Sequence, residues 1–313
     1  MFAGVMRHKV TVYAHALLSE PPSLLRLPAD FVQGRLACIP CREAGEDSDR
    51  RDPAPLCWKT ERASSMTEPT VPRPASTIVL LRDGPSGLET FMVVRHHEID
   101  FASGALVFPG GRLEAADAEL AASLGAAADP LAPFKVAAIR EAFEECGLML
   151  ARAEGEDAML PASRAAALDR AAPFADLMAR EKLVPALDAL APFAHWITPD
   201  FLPKRFDTHF FLALAPFDQV LAHDGREAVD SVWISPREAL AEHGKRYKLL
   251  FPTHRNLWKL SAHADAAAAL AAARKTPVVT VQPERVTVEG GPGLRIPVEA
   301  GYGGEAFSVA GLL

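Results

Sequence analysis

The stretch that decides the fold runs from Arg140 to Leu148 and reads REAFEECGL. Apolar residues recur through and around it at near-helical spacing, which predicts a helix from about Phe134 to Leu150. Residues three and four apart share one face of a helix, so Glu141, Glu144 and Glu145 project their carboxylates into one small volume. No lysine is interleaved to relieve their repulsion, so we expect something positive to compensate it.

Two interpretations of these glutamates are open at this point. Hard divalent cations prefer oxygen ligands, and magnesium takes one or two carboxylates with water and substrate phosphate completing its octahedron. Taken alone, the glutamates are equally consistent with a solvated acidic face that binds no ligand. The upstream residues favour a site, because Gly110 and Gly111 follow the short apolar run Leu106–Phe108. Paired glycines let the backbone approach a ligand or ion closely, with a carbonyl available for coordination.

The glycines, a following acidic residue and the helical stretch together resemble the Nudix box. The pattern of that family is G, five residues, E, seven residues, then R-E-U-x-E-E-x-G-U, where U is apolar. The match places Gly111 at the first glycine, Asp117 at the first glutamate and Arg140 to Leu148 on the helical half. Asp117 departs from the family's glutamate, and residues 118–139 number 22 where the pattern has seven. We expect this Ala-rich insertion to bulge out between loop and helix.

The resemblance spans roughly Ser76 to Leu260. The interrupted box, the WITP sequence at residues 196–199 and the RFDTHFF sequence at residues 205–211 are similar to one Nudix branch. That branch contains the peroxisomal coenzyme A diphosphatases of animals and their bacterial relatives. The chain ends in Gly-Leu-Leu rather than the Ser-Lys-Leu peroxisomal address, so we do not expect that compartment to carry over.

The resemblance implies an α+β fold, an α/β/α sandwich around a mixed sheet with helical insertions and a C-terminal extension. It also implies hydrolysis of a phosphoanhydride with magnesium or manganese as cofactor. Glu141 and Glu145 are the first choices as metal ligands, Glu144 is the next, and the carbonyl of Gly111 is a further ligand. Arg140 is expected to orient the glutamates through charge-assisted hydrogen bonds, which its planar fork suits.

The position of the general base varies within the family. Here it is a box glutamate, Glu145 or Glu144, or else Glu227, which precedes a predicted strand and is otherwise a surface residue. Arg112, beside the glycine loop, and Arg205 are candidates to contact substrate phosphates. Trp196 could stack on a base or pack in the core.

Coenzyme A or an acyl derivative, giving 3′,5′-ADP and a 4′-phosphopantetheine product, is the favoured substrate. ADP-ribose and nucleotide sugars are the nearest alternatives, because fold-level analogy does not decide substrate choice. A second class of function is a Nudix-fold module that binds a nucleotide without cleaving it. The substituted Asp117 and the enlarged box motivate that alternative, and the three retained helical glutamates oppose it.

Composition excludes several other classes of protein. The chain has 313 residues, a formal net charge of −7 and 49% hydrophobic residues, which is typical of a globular protein and not of a disordered chain. The acidic balance without a basic stripe argues against a nonspecific nucleic-acid binder. No uninterrupted apolar stretch of about 18 residues occurs, so no membrane span is predicted. The expected partner is a small nucleotide substrate, with a homodimer left open.

Four cysteines are too few and too unevenly placed for a disulfide framework in a chain of this length, which favours a reducing, cytoplasmic environment. Cys38 and Cys41 form a CxxC pair that could share a zinc ion, with Cys57 as the nearest third candidate. No close histidine supplies a fourth ligand, so we interpret these cysteines as incidental.

The chain is predicted to divide into three parts. Residues 1–65 are expected to be a disordered tail or to precede the true start of translation, for which Met66 is the candidate. Residues 66–260 are the predicted Nudix domain, with insertions at 118–135 and 151–190. Residues 261–313 contain the end of a helix and a C-terminal extension. The predicted strands are Thr77–Leu81 and Phe91–Val94 in a hairpin, Leu106–Phe108, Phe206–Leu214 and Val229–Ile234, and the predicted helices cover roughly 162–181 and Thr253–Arg274.

Overall fold

The computed structural model describes residues 70–95, 104–219, 221 and 228–309. The predictions for residues 1–65, for Met66 as the start and for Glu227 lie outside the described residues. The same is true of every cysteine except Cys146, which is a free, buried thiol.

The described chain contains groups of strands separated by one to three helices. The strands are β1 Arg73–Gly84, β2 Gly87–Arg95, β3 Leu106–Val107, β4 Gly110–Arg112, β5 Ala151–Ala153, β6 Leu183–Pro185, β7 Ala191–Ile197, β8 Phe206–Leu214, β9 Ala228–Ile234, β10 Thr280–Val281, β11 Glu284–Val288, β12 Gly291–Arg295 and β13 Ala306–Ser308. The α-helices are α1 Ala115–Ser123, α2 Ala132–Cys146, α3 Ala162–Ala165, α4 Phe174–Glu181, α5 Pro236–Ala241, α6 Phe251–Leu260 and α7 Ala266–Lys275, and short 3₁₀ turns cover Leu187–Ala189 and Val298–Ala300.

The central sheet has eight strands and is organised around β1. Its hydrogen-bonded order is β10-β7-β8-β1-β2-β3, with β4 paired to β1 and β9 paired to β2. The first half of β1 pairs antiparallel with β4, and its second half forms the predicted hairpin with β2. β1 runs parallel to β8, and β7 runs parallel to β10, so the predicted mixed sheet is confirmed.

Helices cover both faces of this sheet, which explains why β1 contains a continuous run of apolar residues. Val79 and Leu81 point into one core, which contains side chains of α5, α6 and α7. Ile78 and Leu80 point into the other, with side chains of α1, α2, α3 and α4. The predicted α/β/α sandwich is therefore the observed architecture.

The helix that carries the three glutamates is shorter at its C-terminal end than predicted. α2 begins at Ala132, with Pro133 in its first turn where a missing N–H costs nothing. It ends at Cys146, because Gly147 takes φ 75° and closes the helix with a left-handed residue. The predicted helix continued to Leu150, but residues 148–150 leave the helix while staying buried.

The residues inserted into the box form the end of one helix, a turn and the start of the next. Residues 118–123 complete α1, a turn follows, and residues 132–139 form the first two turns of α2. Val136 and Ile139 are fully buried in the core beneath α2, which is the physical reason that this part of the insertion is helical. Lys135 pairs with Asp129 at 2.8 Å and ties the turn to the helix.

Two predicted helices are each divided in the structure. The Ala-rich pattern from Thr253 to Arg274 forms α6 and α7, because the Asp265 side chain accepts a hydrogen bond from the Ala268 N–H and starts a new helix. The pattern over 162–181 similarly forms α3 and α4. The predicted C-terminal extension contains short strands, with β11, β12 and β13 in a separate small sheet.

Among the described residues, the helices are all too short or too polar to cross a membrane.

Candidate functional site

The glycine loop and the glutamate helix meet at one edge of β1. Strand β4 lies beside the first half of β1, with Ser76 opposite Gly111 and Thr77 opposite Gly110. α2 packs over this part of the sheet, and the Ser76 hydroxyl donates to the Phe134 carbonyl at 2.7 Å near the start of the helix. The 15 extra residues in the box therefore do not separate its two halves in space.

Two of the three glutamates are held directly against the glycine loop. A Cβ atom at Gly111 would stand 2.5 Å from Cδ of Glu141, so the Glu141 carboxylate occupies the space that a side chain would take. One turn later in α2, Oε2 of Glu145 accepts a hydrogen bond of 3.1 Å from the backbone N–H of Gly110. Glycine is needed at 111 because the carboxylate comes that close to the backbone.

Arg140 supplies a positive charge next to two of these glutamates and Asp117. Its guanidinium is buried and donates through Nη1 to Glu141 at 2.8 Å and to Glu144 at 3.1 Å. Nε and Nη2 donate to the two carboxylate oxygens of Asp117 at 2.9 and 3.0 Å. Nη2 also donates to the Arg112 carbonyl at 2.9 Å, which joins the helix to β4. This fork-shaped network fixes the direction of the glutamate side chains.

Burial and charge act in opposite directions on this network. Burial opposes the charge of Arg140, but the hydrogen bonds to Asp117 and the charges of Asp117, Glu141 and Glu144 raise its pKa above the ordinary value. Burial raises the pKa of Glu144, and the neighbouring Arg140 only partly offsets that effect. Glu144 is also the most exposed of the three glutamates, with 35% of its side chain accessible.

Asp117 has a role that the sequence interpretation did not assign. It is 2% exposed, on the first turn of α1, where its Oδ2 also accepts the Glu114 N–H at 2.8 Å. The resemblance placed Asp117 at the first glutamate of the box, whereas the structure shows it as the bidentate partner that anchors Arg140. The sequence contained a signal for the local structure at Asp117. Glu114 and Asp117 have the spacing of a capping box, which predicts that a helix begins there.

The turn that carries Glu144 is also held at its C-terminal end. Arg170 donates through Nη2 to the Glu144 carbonyl at 2.5 Å, beside the left-handed Gly147. The last carbonyls of a helix have no intrahelical partner and carry its negative dipole end, so a guanidinium there is favourable.

The arrangement fits a hard divalent cation. Three carboxylates contact the Arg140 guanidinium, which gives two of its hydrogen bonds to Asp117, and Glu145 lies beside them against the Gly110 N–H. The remaining carboxylates offer oxygen ligands beside the backbone of Gly111, which is the ligand type that magnesium and manganese prefer. Glu141, Glu144 and Glu145 are therefore the residues that could hold such an ion, and the glycine loop leaves room for a close approach.

The structure does not bring every predicted residue to this place. Trp196 lies on the opposite face of the sheet, 3% exposed, where its Nε1 donates to the Tyr302 hydroxyl at 3.1 Å. Arg205 is buried and donates to the carbonyls of Thr198 at 3.0 Å and Thr70 at 2.9 Å. Both side chains hold the fold together, which corrects their assignment as substrate-binding residues. Arg112, the third candidate for substrate binding, is exposed beside the glycine loop.

Replacing each loop glycine by alanine separates a structural from a functional role. A Cβ at Gly110 would stand 2.5 Å from the Ser76 carbonyl oxygen, so Gly110→Ala should force β4 away from β1 and cost about 1–3 kcal/mol of unfolding free energy. The three atoms nearest to a Cβ at Gly111 all belong to the end of the flexible Glu141 side chain. Gly111→Ala should therefore unfold almost normally in urea but lower turnover by about tenfold or more, because it displaces a carboxylate. Equal activity of Gly111→Ala and the unchanged protein would contradict this role of Gly111.

Comparison with known proteins gives one consistent family. The sequence model of the NUDT19 Nudix domain matches residues 121–255, a range that contains the helical half of the box but not the glycine loop. The acyl-coenzyme A diphosphatase NUDT19 of Xenopus laevis is 22% identical over 223 residues, covering 55% of this chain and 58% of that protein. A Caenorhabditis elegans relative, named among the nudix hydrolases, is 27% identical over 171 residues, covering 54% of this chain and 55% of that protein. The chain thus spans little more than half the length of these curated relatives.

A solved structure is similar over a larger share of its length. The crystal structure of a NUDIX hydrolase from Alicyclobacillus acidocaldarius superposes with a TM-score of 0.57 at 28% sequence identity. The similarity covers 64% of this chain and 96% of that one. The layered arrangement of helices around the central sheet is therefore that of a Nudix fold.

Proposed function

Because the chain belongs to the Nudix hydrolase family, in the branch of the NUDT19 domain, we propose that it hydrolyses a phosphoanhydride bond in a nucleoside diphosphate linked to another group. The observation that carries this proposal is the network of Arg140 with the box glutamates beside Gly110 and Gly111. A chain that had kept only the fold would have no reason to gather this many carboxylates in a half-buried place, where their repulsion costs stability.

Magnesium or manganese is the proposed cofactor. Glu141 and Glu145 would hold the ion, with Glu144 as a further carboxylate and the carbonyl of Gly111 as a backbone ligand. A divalent ion at such a site neutralises charge on substrate phosphates and lowers the pKa of bound water. The specific ion is left to experiment, because both candidates accept oxygen ligands.

The side chains of the protein position this machinery. Arg140 holds Glu141 and Glu144 from one side, and the Gly110 N–H holds Glu145 from the other, so these carboxylates lose little freedom when substrate binds. Glu144 and Glu145 are the proposed candidates for the general base among the described residues, and Glu227 remains a candidate outside them. Arg112 is proposed to contact a substrate phosphate, because its exposed guanidinium lies next to the loop.

Coenzyme A or an acyl derivative is the proposed substrate. Support comes from the relative named as an acyl-coenzyme A diphosphatase, although this chain spans only 58% of that protein. Hydrolysis would cleave the anhydride between the two phosphates of coenzyme A, with water supplying the new oxygen. The products would be 3′,5′-ADP and 4′-phosphopantetheine.

A substrate panel tests this assignment. The full chain is incubated with magnesium and, separately, with coenzyme A, an acyl-coenzyme A, ADP-ribose, nucleotide sugars and dinucleoside polyphosphates, and products are identified by mass spectrometry. We expect coenzyme A or its acyl derivative to have the largest kcat/KM and to yield the two products named above. Preferential cleavage of ADP-ribose would move the substrate to the nearest alternative. No cleavage of any member at high enzyme concentration would overturn the hydrolase proposal.

The second candidate is a module that binds a nucleotide without hydrolysing it. It is favoured by the departure at Asp117 from the family pattern and by the enlarged box, and it is opposed by the three retained glutamates and by the ion pair of Asp117 with Arg140. Calorimetry showing tight binding of a nucleotide, with no product after long incubation, would support this candidate.

A cytoplasmic location and a homodimer stay predictions, and sedimentation or size-exclusion measurements would test the homodimer.

A further inference from the structure

We propose that His195, Asp207 and His209 form a second metal site, which binds a divalent transition-metal ion of the zinc class. The three residues lie on β7 and β8, away from the glycine loop and its glutamates. The proposal does not depend on the hydrolase activity, because it is carried by a different set of side chains.

Strand pairing places the three side chains on one face. His195 of β7 lies directly opposite His209 of β8 in an antiparallel pair. Asp207 lies two residues before His209 on the same strand, so it projects to the same side of the sheet. Directly opposed residues have Cβ atoms about 4.5–5.5 Å apart, which is within reach of imidazole and carboxylate groups that share one ion.

The contacts of the cluster bring its donor atoms together. Nε2 of His195 is in hydrogen-bonding contact with Oδ1 of Asp207, and its Nδ1 lies 2.8 Å from the Thr280 hydroxyl on β10. One ligand atom from each of His195, Asp207 and His209 lies within 4.8 Å of the other two. A hydrogen-bonded second nitrogen is the usual way in which a metal-binding imidazole is oriented, and Thr280 supplies that partner for His195.

His209 supplies the observation that an ordinary ion pair would not explain. Its ring packs against Phe134 at 4.4 Å between centroids and stacks on His195 at 4.0 Å. Among the residues that the structure describes, however, neither ring nitrogen of His209 has a hydrogen-bond partner. A half-buried imidazole beside a carboxylate and a second imidazole, with its nitrogens unpaired, is a ready ligand for a cation.

The geometry requires a small adjustment on binding. Two ligands of a tetrahedral zinc ion at about 2.0–2.1 Å lie roughly 3.3 Å apart, so the donor atoms must converge slightly. The two rings are nearly parallel, with 7° between their planes, so one must tilt to bring the ion into both planes. Rotation about side-chain torsions supplies both movements without displacing the paired strands.

The choice of ion follows from the ligand types. Two imidazoles and one carboxylate suit zinc, cobalt or nickel, whereas magnesium prefers an all-oxygen set such as the box glutamates.

The histidine–aspartate cluster and the glutamate site are also separated in space. His209 lies opposite Ser76 on β1, and Ser76 lies opposite Gly111 on β4, which places His209 about 10 Å across the sheet from the glycine loop. Bound metal would link β7 to β8 and, through Thr280, would steady β10.

Metal binding to the full chain tests the proposal. The protein is stripped with a chelator and titrated with cobalt(II), followed by visible d–d absorption, and with zinc(II), followed by calorimetry and thermal unfolding. We expect binding at micromolar concentration with a rise in Tm. His209→Ala should weaken the affinity by more than about tenfold and abolish the rise in Tm. His263→Ala, which removes a histidine outside the cluster, should bind as the unchanged protein does.

Two further variants make the outcome decisive. Glu145→Gln perturbs the glutamate site and should leave the cobalt spectrum unchanged, so loss of the spectrum in this variant would place the bound metal at the glutamates and overturn the proposal. Asp207→Asn repeats the test if His209→Ala does not give the circular dichroism of the folded protein. If His209→Ala and Asp207→Asn bind zinc as tightly as the unchanged protein does, and bind cobalt as tightly as it does, the cluster is only a histidine–aspartate ion pair and the proposal is wrong.

Discussion

Replacing Glu145 by glutamine is expected to lower turnover by at least about 10²-fold, the largest effect on activity that we predict. Glutamine has nearly the same shape, and its side-chain oxygen can still accept the hydrogen bond from the Gly110 N–H. What is lost is one negative charge at a place where we propose that a divalent ion binds. The fold should therefore persist while catalysis fails, which steady-state kinetics and circular dichroism would measure together.

Glu119→Gln is the matched control for this substitution. Glu119 lies on α1, close in sequence to the glycine loop, but its side chain is exposed and the residue has no place in the Arg140 network. It should retain full activity at the same saturating magnesium. If Glu145→Gln kept more than about a tenth of the turnover, the assignment of Glu145 as a metal ligand or base would be wrong.

Removing the charge of Arg140 is expected to have the largest effect on stability. Arg140→Met leaves Asp117, which is 2% exposed, as a buried carboxylate without its cation, and it also releases Glu141 and Glu144. Breaking a buried ion pair by removing one partner costs about 3–5 kcal/mol, because the remaining charge stays desolvated. Urea-induced unfolding followed by circular dichroism would measure the loss, and activity should fall as well because the glutamates lose their orientation.

Two comparisons show whether burial is the cause. Arg180→Met removes a guanidinium whose side chain is 56% exposed beside Glu181, so it should change the unfolding free energy by less than about 1 kcal/mol. The double variant Arg140→Met/Asp117→Leu should regain part of the lost stability, because it replaces the orphaned carboxylate with an apolar group. It should not regain activity. A single variant as stable as the unchanged protein would refute the proposed role of this pair.

The parts of the fold that were predicted correctly depend on local pattern. The β1–β2 hairpin and strand β8 follow from β-branched and aromatic runs bounded by turn residues, and both are found in the structure. The Arg140–Leu148 stretch was sufficient to indicate both the helix and the family. The predictions that failed concern where elements end. The Asp265 cap divided one helix and Gly147 stopped another, and each is a single residue that outweighs an apolar period.

The site was predictable only in part, for a physical reason. The three glutamates share a helical face by spacing alone, so their proximity needed no tertiary structure. The assignment of Trp196 as a substrate contact could not be tested by spacing alone, because it depends on which face of the sheet this strand residue occupies. A bulge in β7 between Pro192 and Ala194 shifts that alternation, and Trp196 lies with the core on the far face from the glutamates. The assignment of Arg205 depends on its burial just before β8, which spacing does not give either.

By itself, the sequence indicated the resemblance to a family and placed three carboxylates on one helical face, because both depend on residue type and on spacings of three and four. Only the tertiary structure decided that Asp117, 23 residues before Arg140, is its buried partner. It also decided that His195 and His209 face each other across two strands. Such pairs depend on strand register and on burial, and these are set by the packing of distant segments that no local pattern encodes.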